Sequence, residues 1–231
     1  MGPKRIITID GPAGAGKSTV GRRLAQSLGY LYLDSGALYR AVALAARRSG
    51  LDLDDAGALP DFLAGFHPEV SADARGFHLL IDGREVTDDL RSAQVSRDAS
   101  QVAVLPVVRQ WVKEHLRYLA RDGGVVAEGR DQGTAVFPEA DFKFYLDAAL
   151  ATRAARRRLD LPRDGDPPPL ETIMADLANR DRRDETRSEA PLRVPEDAIV
   201  IDTTDLNIEE VVGHCLAKIS GQLDHKPIKR V

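Results

Sequence analysis

Cysteine is nearly absent: Cys215 is the only one in 231 residues, so no disulfide can form within the chain, and a reducing compartment fits. Its place on the stripe Ile208, Val211, Val212, Cys215, Leu216 and Ile219 reads as a small buried hydrophobe and not as a reactive thiol. No apolar run approaches the roughly 18 residues that span a bilayer. A strand pattern starting at Ile6 leaves no stretch for a leader, and Ile6 itself stands where a myristoylation motif starting at Gly2 would need Ser or Thr. The expectation is a cytoplasmic protein without membrane contact. Net charge is only -4, so nothing in the overall balance calls for nucleic acid. His67 and His78 lack cysteine or carboxylate partners at ligand spacing, which speaks against a metal site there. The chain has no internal repeat, no low-complexity segment and no long heptad pattern, and a monomer is expected. An Asn-Lys dipeptide is also missing, and with it the Asn-Lys-x-Asp element by which GTP-dependent switches read guanine.

What is present is more specific. The apolar fraction of 43% supports a globular protein of one embellished domain or two small ones. Gly11-Pro12-Ala13-Gly14-Ala15-Gly16-Lys17-Ser18, followed by Thr19, satisfies G-x-x-x-x-G-K-[ST] between a strand pattern, Arg5 to Asp10, and a helical face at Val20, Leu24 and Leu28. Glycines let several N–H groups converge on one phosphate, and the following helix aims its positive end at it. In that motif Lys17 reaches the β/γ-phosphates and Ser18 offers its hydroxyl to Mg²⁺.

Strand patterns at Ile6 to Asp10, Tyr30 to Leu33, Val125 to Glu128, Phe142 to Leu146 and Ala198 to Asp202 alternate with helical ones. The helices are expected over Gly16 to Leu28, Ala37 to Ser49, Pro106 to Ala120, Ala149 to Leu161, Leu170 to Glu185 and Asn207 to Gln222. This is an α/β arrangement. Phe62 to Val102 breaks the rhythm with short strands at Glu69, Phe77 to Ile81 and Glu85, and an Asp82-Gly83 turn between the last two. It reads as an inserted subdomain. Leu161 to Leu170 is a proline-rich break, either a rigid spacer or the edge of a mobile lid, and Asp224 to Val231 reads as a polar tail.

Three further groups carry chemistry. Asp34 and Ser35 close a strand ahead of Tyr39 and Arg40; Ser35 is either a helix cap or a ligand contact, and Tyr39 either packs or binds. Val125 to Ala127 runs into Glu128, Arg130 and Asp131, charges that at a buried strand's mouth are either paired internally or used. Glu128 stands where a carboxylate could hold a water of a Mg²⁺ shell. Arg180, Asp184 and Arg187 share one helical face at i, i+4 and i+7, as a surface ladder or as a phosphate grip. Arg153, Arg156, Arg157 and Arg158 repel one another and call for an anion, for which a nucleotide is simpler than a nucleic acid.

Gly11 to Thr19, Leu33 to Arg40, Ala99 to Ala103, Glu128 to Thr134, Val136 to Pro138 and Arg180 to Arg187 together resemble the bacterial cytidylate kinases, in motif order and spacing and over nearly the whole chain. The resemblance implies a P-loop NTPase core with a parallel sheet flanked by helices over 1–61 and 103–231. To this it adds a mostly antiparallel nucleoside-monophosphate-binding insert near 62–102 and a helical lid near 153–187. The implied reaction is phosphoryl transfer from MgATP to CMP or dCMP, in pyrimidine nucleotide metabolism. ATP would sit on Gly11 to Thr19, and CMP on Ser35, Tyr39, Arg40, Ser100, Arg109, Arg130, Asp131, Arg180, Asp184 and Arg187. Within that set the family pattern gives the α-phosphate to Arg40, Arg130 and Arg187, the sugar to Arg180 and Asp184, and the base to Ser100, Arg109 and Asp131. Lys17, Arg130, Arg157 and Arg187 would act on the transferring phosphoryl, with Arg157 in the lid. Departures from the pattern are Ser18 where some relatives have Gly, Glu128 for a common Asp, and the Pro167 to Pro169 run at the lid edge.

Overall fold

Four of the five residues of β1 (Ile6–Asp10) are buried, as expected of a β-branched run covered on both faces. The structure, a computed structural model, describes residues 4–53, 57–73, 76–160 and 168–221. The first strand leads to α1 (Lys17–Leu28), β2 (Leu31–Asp34), α2 (Ser35–Arg48), α3 (Leu59–Gly65), β3 (Glu69–Ala72), β4 (Phe77–Ile81) and β5 (Arg84–Glu85). Then come α4 (Ala93–Val102), α5 (Pro106–Leu119), β6 (Val125–Glu128), β7 (Phe142–Asp147), α6 (Leu150–Leu159), α7 (Leu170–Thr186), β8 (Ile199–Asp202) and α8 (Ile208–Ile219). Five strands share a sheet in the order β2-β6-β1-β7-β8, and β3-β4-β5 form a second, three-stranded one. The expected P-loop α/β fold is therefore present, and the strands and helices expected of its core are shifted only at their ends.

The chain divides into two compact units: the described residues up to Ile6 with Ala25–Ala127, and Ile7–Leu24 with the described residues from Glu128 onward. In the second unit β7 pairs in parallel with both β1 and β8, with Ile9 opposite Phe144 and Phe144 opposite Ile199. Helices α6 and α7 meet through Ala154, Ile173 and Leu177, packed with Ala13 of the phosphate loop. The last helix starts at a capping box in which Asn207 accepts from Glu210 N and the Glu210 carboxylate accepts from Asn207 N. Its Cys215 is fully buried, and burial pushes the thiol up to about 12, so this residue is the inert hydrophobe its stripe predicted.

The other unit holds the antiparallel hairpins. Asp82 and Gly83, at φ 52 and 72, form the left-handed two-residue turn that the Asp-Gly pair predicts between β4 and β5. His78 is not without a carboxylate neighbour, as spacing alone suggested: across that hairpin its Nδ1 lies 3.2 Å from Glu85 Oε1. The insert is also less of a β element than expected, because α3, α4 and a 3₁₀ turn at Asp89–Arg91 lie in or across it. Helix α4 is capped by Ser92, whose hydroxyl accepts from Val95 N, and it packs on α2. Trp111 sits half-buried in an aromatic stack with Phe66 at 5.3 Å and His115 at 3.6 Å. Leu161 to Pro167 of the proline-rich break and the tail from Asp224 on lie outside the described residues. Among the described residues no helix is long and apolar enough to cross a membrane.

Candidate active site

The phosphate loop begins where Asp10 ends β1. At Gly11, φ is 145, and an added Cβ would lie 2.0 Å from the Leu146 carbonyl oxygen of β7, so only glycine lets the chain pass there. Pro12, Ala13 and Ala15 are buried, Gly14, Gly16 and Ser18 half-buried and Thr19 exposed. The loop is braced from the helical side. Ala13 N donates to Asp181 Oδ1 at 3.3 Å, and Ala13 O accepts from Arg153 Nη1 at 3.1 Å. Arg153 also donates to Asp181 Oδ2 and to the Ala148 carbonyl.

Lys17 opens α1 and is almost wholly buried, with Nζ donating to Pro12 O at 2.7 Å. Burial pushes its ammonium down to about 7; the Arg130 and Arg180 charges add to the shift, and Glu128 and Asp10 oppose it. Ser18 Oγ donates to Glu128 Oε1 at 2.6 Å, so the expected hydroxyl and carboxylate do come together. One hydroxyl and one carboxylate are hard oxygen groups that suit Mg²⁺, which takes its remaining ligands from water and phosphate.

A charged set closes this unit. Arg130 Nε donates to Asp184 Oδ2 at 2.8 Å, and Arg187 lies 3.8 Å from Asp184 and 3.9 Å from Asp131. Burial alone would raise the Asp184 carboxyl, but Arg130, Arg180 and Arg187 together bring it below its ordinary value. Burial alone would lower the Arg130 guanidinium, but Asp184, Glu128 and Asp181 together hold it above its ordinary value.

Two expectations need correction here. Arg187 is the C-cap of α7, just past Thr186: its N–H still donates to Arg183 O, its ψ of 145 takes the chain out of the helix, and its guanidinium donates twice to Ala190 O. With its side chain only 7% exposed, it is not part of the surface ladder its spacing allowed. The arginines of α6 do not all await an anion, either. Arg153 is paired with Asp181 and Arg156 donates to Thr203 Oγ1 and O, while Arg157 and Arg158 are exposed.

In the other unit Asp34, not Ser35, caps α2, accepting from Ala37 N at 2.9 Å, and its second oxygen takes Arg40 Nη2 at 3.0 Å. Ser35 is buried at the first helical position. Arg109, also buried, donates to Ala103 O and stands 5.9 Å from the centre of the Tyr39 ring, so these two expected acceptor residues meet. Ser100 donates to Ser96 O within α4.

Sequence reasoning missed Asp10. It is fully buried and accepts from Gln132 N at 2.8 Å and Gly133 N at 2.7 Å. Burial pushes its carboxyl up to about 7 against those bonds. A carboxylate ending a buried strand is expensive unless used, and that was the available signal.

A parallel strand, a glycine loop and a helix led by Lys17 and Ser18, with the Glu128 carboxylate on that serine, define a P-loop phosphotransferase. The family model for cytidylate kinase matches residues 7–221. The chain is 43% identical over 220 residues to a cytidylate kinase of Stutzerimonas stutzeri (strain A1501), covering 94% of this chain and 96% of that one. It is 41% identical over 226 residues to a cytidylate kinase of Pasteurella multocida (strain Pm70), covering 98% and 100%. The chain belongs to the cytidylate kinase family. A solved structure of an uncharacterized protein from Eubacterium ventriosum ATCC 27560 shares the fold alone, with TM-score 0.50 at 11% identity over 94% of this chain and 99% of that one.

Proposed function

We propose that this kinase transfers the γ-phosphoryl group of ATP to CMP and dCMP, giving ADP and CDP or dCDP. The observation that carries the reading is geometric: the Lys17 ammonium is buried on the phosphate loop, Ser18 Oγ meets Glu128 Oε1 at 2.6 Å, and Arg130 and Arg187 both lie against Asp184. Like charges brought together in a buried place suit a polyanion that enters between them.

In the transfer, a phosphate oxygen of the acceptor attacks Pγ, and the bond from Pγ to the β,γ-bridging oxygen breaks. The attacking oxygen is already anionic, so no general base is required. What the chain contributes is position and charge. Lys17 leaves the Pro12 carbonyl for the β/γ-phosphates, and Arg130 and Arg187 hold the acceptor phosphate in line. Ser18 and Glu128 would hold Mg²⁺, which when bound spreads the charge of the ATP phosphates. Arg40 beside Arg130 and Arg187 on the acceptor phosphate, Ser100, Arg109 and Asp131 toward the base, Arg180 and Asp184 toward the sugar, and Ser35 and Tyr39 elsewhere on CMP are assigned by family resemblance. So are Arg157 in the lid and the limits of the lid, while the insert limits, a monomeric state and a cytoplasmic setting rest on the sequence pattern and composition.

The test is ADP release with ATP and Mg²⁺ across CMP, dCMP, UMP and AMP. CMP and dCMP should give the highest kcat/KM. A preference for UMP or AMP, or ADP release that ignores the acceptor, would overturn the reading.

A further inference from the structure

The segment after β6 is a π-helical turn, Gln132–Val136, in which the Asp131 carbonyl accepts from both Ala135 N and Val136 N. The first donors of such a turn have no partner inside it. Here both are taken by a residue far away in sequence: Asp10 gives one carboxylate oxygen to Gln132 N and the other to Gly133 N. Asp131, at the N-cap position of the turn, makes no side-chain cap bond and stands at φ -147, ψ 22. On one side of Asp10 is Gly11, wedged against β7 at the entry to the phosphate loop. On the other side of the clamp are Arg130 and Asp131, whose partners are Asp184 and Arg187.

We infer that Asp10 is a positioning residue for the acceptor: its carboxylate caps the Gln132–Val136 turn and so fixes Arg130 and Asp131 relative to the phosphate loop. The inference rests on the acceptor role given above to those two residues. Both Asp10 oxygens are spent on N–H groups of the turn. The residue acts by holding a turn that Asp131 leaves uncapped, and small displacements of a substrate-binding group are costly in rate.

Asp10→Asn keeps the shape but replaces one acceptor oxygen with an N–H₂ group, which turns a donor toward a donor at Gln132 or Gly133. Compared at a temperature where both proteins are folded, the variant should show a KM for CMP raised about tenfold or more. Its KM for ATP should stay within about twofold, and its CMP to UMP ratio of kcat/KM should narrow as Asp131 loosens. Equal rises in both KM values with the base ratio held, or no change in either, would overturn the inference and leave Asp10 a packing residue. An unmodified chain without CMP kinase activity would instead overturn the function on which it rests. If Asp10→Asn does not fold, amide hydrogen exchange of the unmodified chain decides. Gln132 and Gly133 amides as slow as those of β1 and β7 support the clamp, and loop-like exchange at both refutes it.

Discussion

Buried and open ion pairs occur in both units, and pairs taken from each show what the setting does. Around α2 and the small sheet, Arg48–Asp89 spans 2.6 Å with the side chains 47% and 54% exposed, and His78–Glu85 is similarly open. Beyond the phosphate loop, Arg130–Asp184 spans 2.8 Å with the side chains 18% and 20% exposed, and Arg153–Asp181 is more buried still. The distances are alike, and the surroundings are not. An exposed pair gains little because water already solvates both partners, whereas a buried set costs free energy to assemble and cannot lose a member quietly. Distance therefore says little about which ion pairs matter here. Burial, and the number of charges that share a partner, says more.

The sharpest break in that contrast is Lys17→Ala. Removing a buried cation aimed at the transferring phosphoryl should lower kcat by about a hundred- to a thousandfold, with circular dichroism unchanged. Near-normal turnover in the folded variant would detach the loop from the chemistry. Next, Arg187→Ala should raise the KM for CMP by about ten- to a hundredfold, with the KM for ATP moving far less. Unchanged CMP kinetics would reduce the Arg130–Asp184–Arg187 set to a scaffold.

A pH comparison isolates one buried carboxylate. Asp10 is raised from 3.8 to about 7 in the folded chain, chiefly by burial, so its contribution to stability is full below about pH 4 and is lost as pH rises through about 7. Urea melts of the unmodified chain and Asp10→Asn should therefore show a stability gap, in favour of the unmodified chain, that is wider at pH 5 than at pH 8. A gap independent of pH would mean that Asp10 titrates as an ordinary surface acid. The smallest effect belongs to the open pair: Arg48→Ala should change stability by less than about 1 kcal/mol and leave both KM values alone. A kinetic effect there would erase the distinction between open and buried pairs.

Much of this was readable from residue order. The glycine loop, the buried strands and the α8 stripe announce themselves because each depends on neighbours within a few residues. The Gln132–Val136 turn does not, since its cap is Asp10, more than a hundred residues earlier. The surroundings of Arg187 were hidden for a related reason. Helical spacing extrapolates past Thr186, but the backbone there turns out of the helix as the guanidinium folds onto Ala190 O and Leu192 N binds Asp184 O. Helix α4 was legible and overlooked: Ser92 followed by Val95, Ala99 and Val102 at i, i+4 and i+7 is a cap and a buried stripe. The arginines of α6 show the opposite limit, because sequence gives their mutual repulsion and not the Asp181 and Thr203 groups that relieve it.

The passage of Gly11 against the Leu146 carbonyl has a consequence for how this chain tolerates change. A side chain at Gly11 collides with backbone that cannot step aside, so a library screened only for soluble, folded protein would already reject nearly every substitution there. Lys17, by contrast, would pass that screen in many forms and fail only a screen for turnover. Two positions of one motif would thus be equally invariant among survivors for unrelated reasons, one imposed by the fold and the other by the reaction.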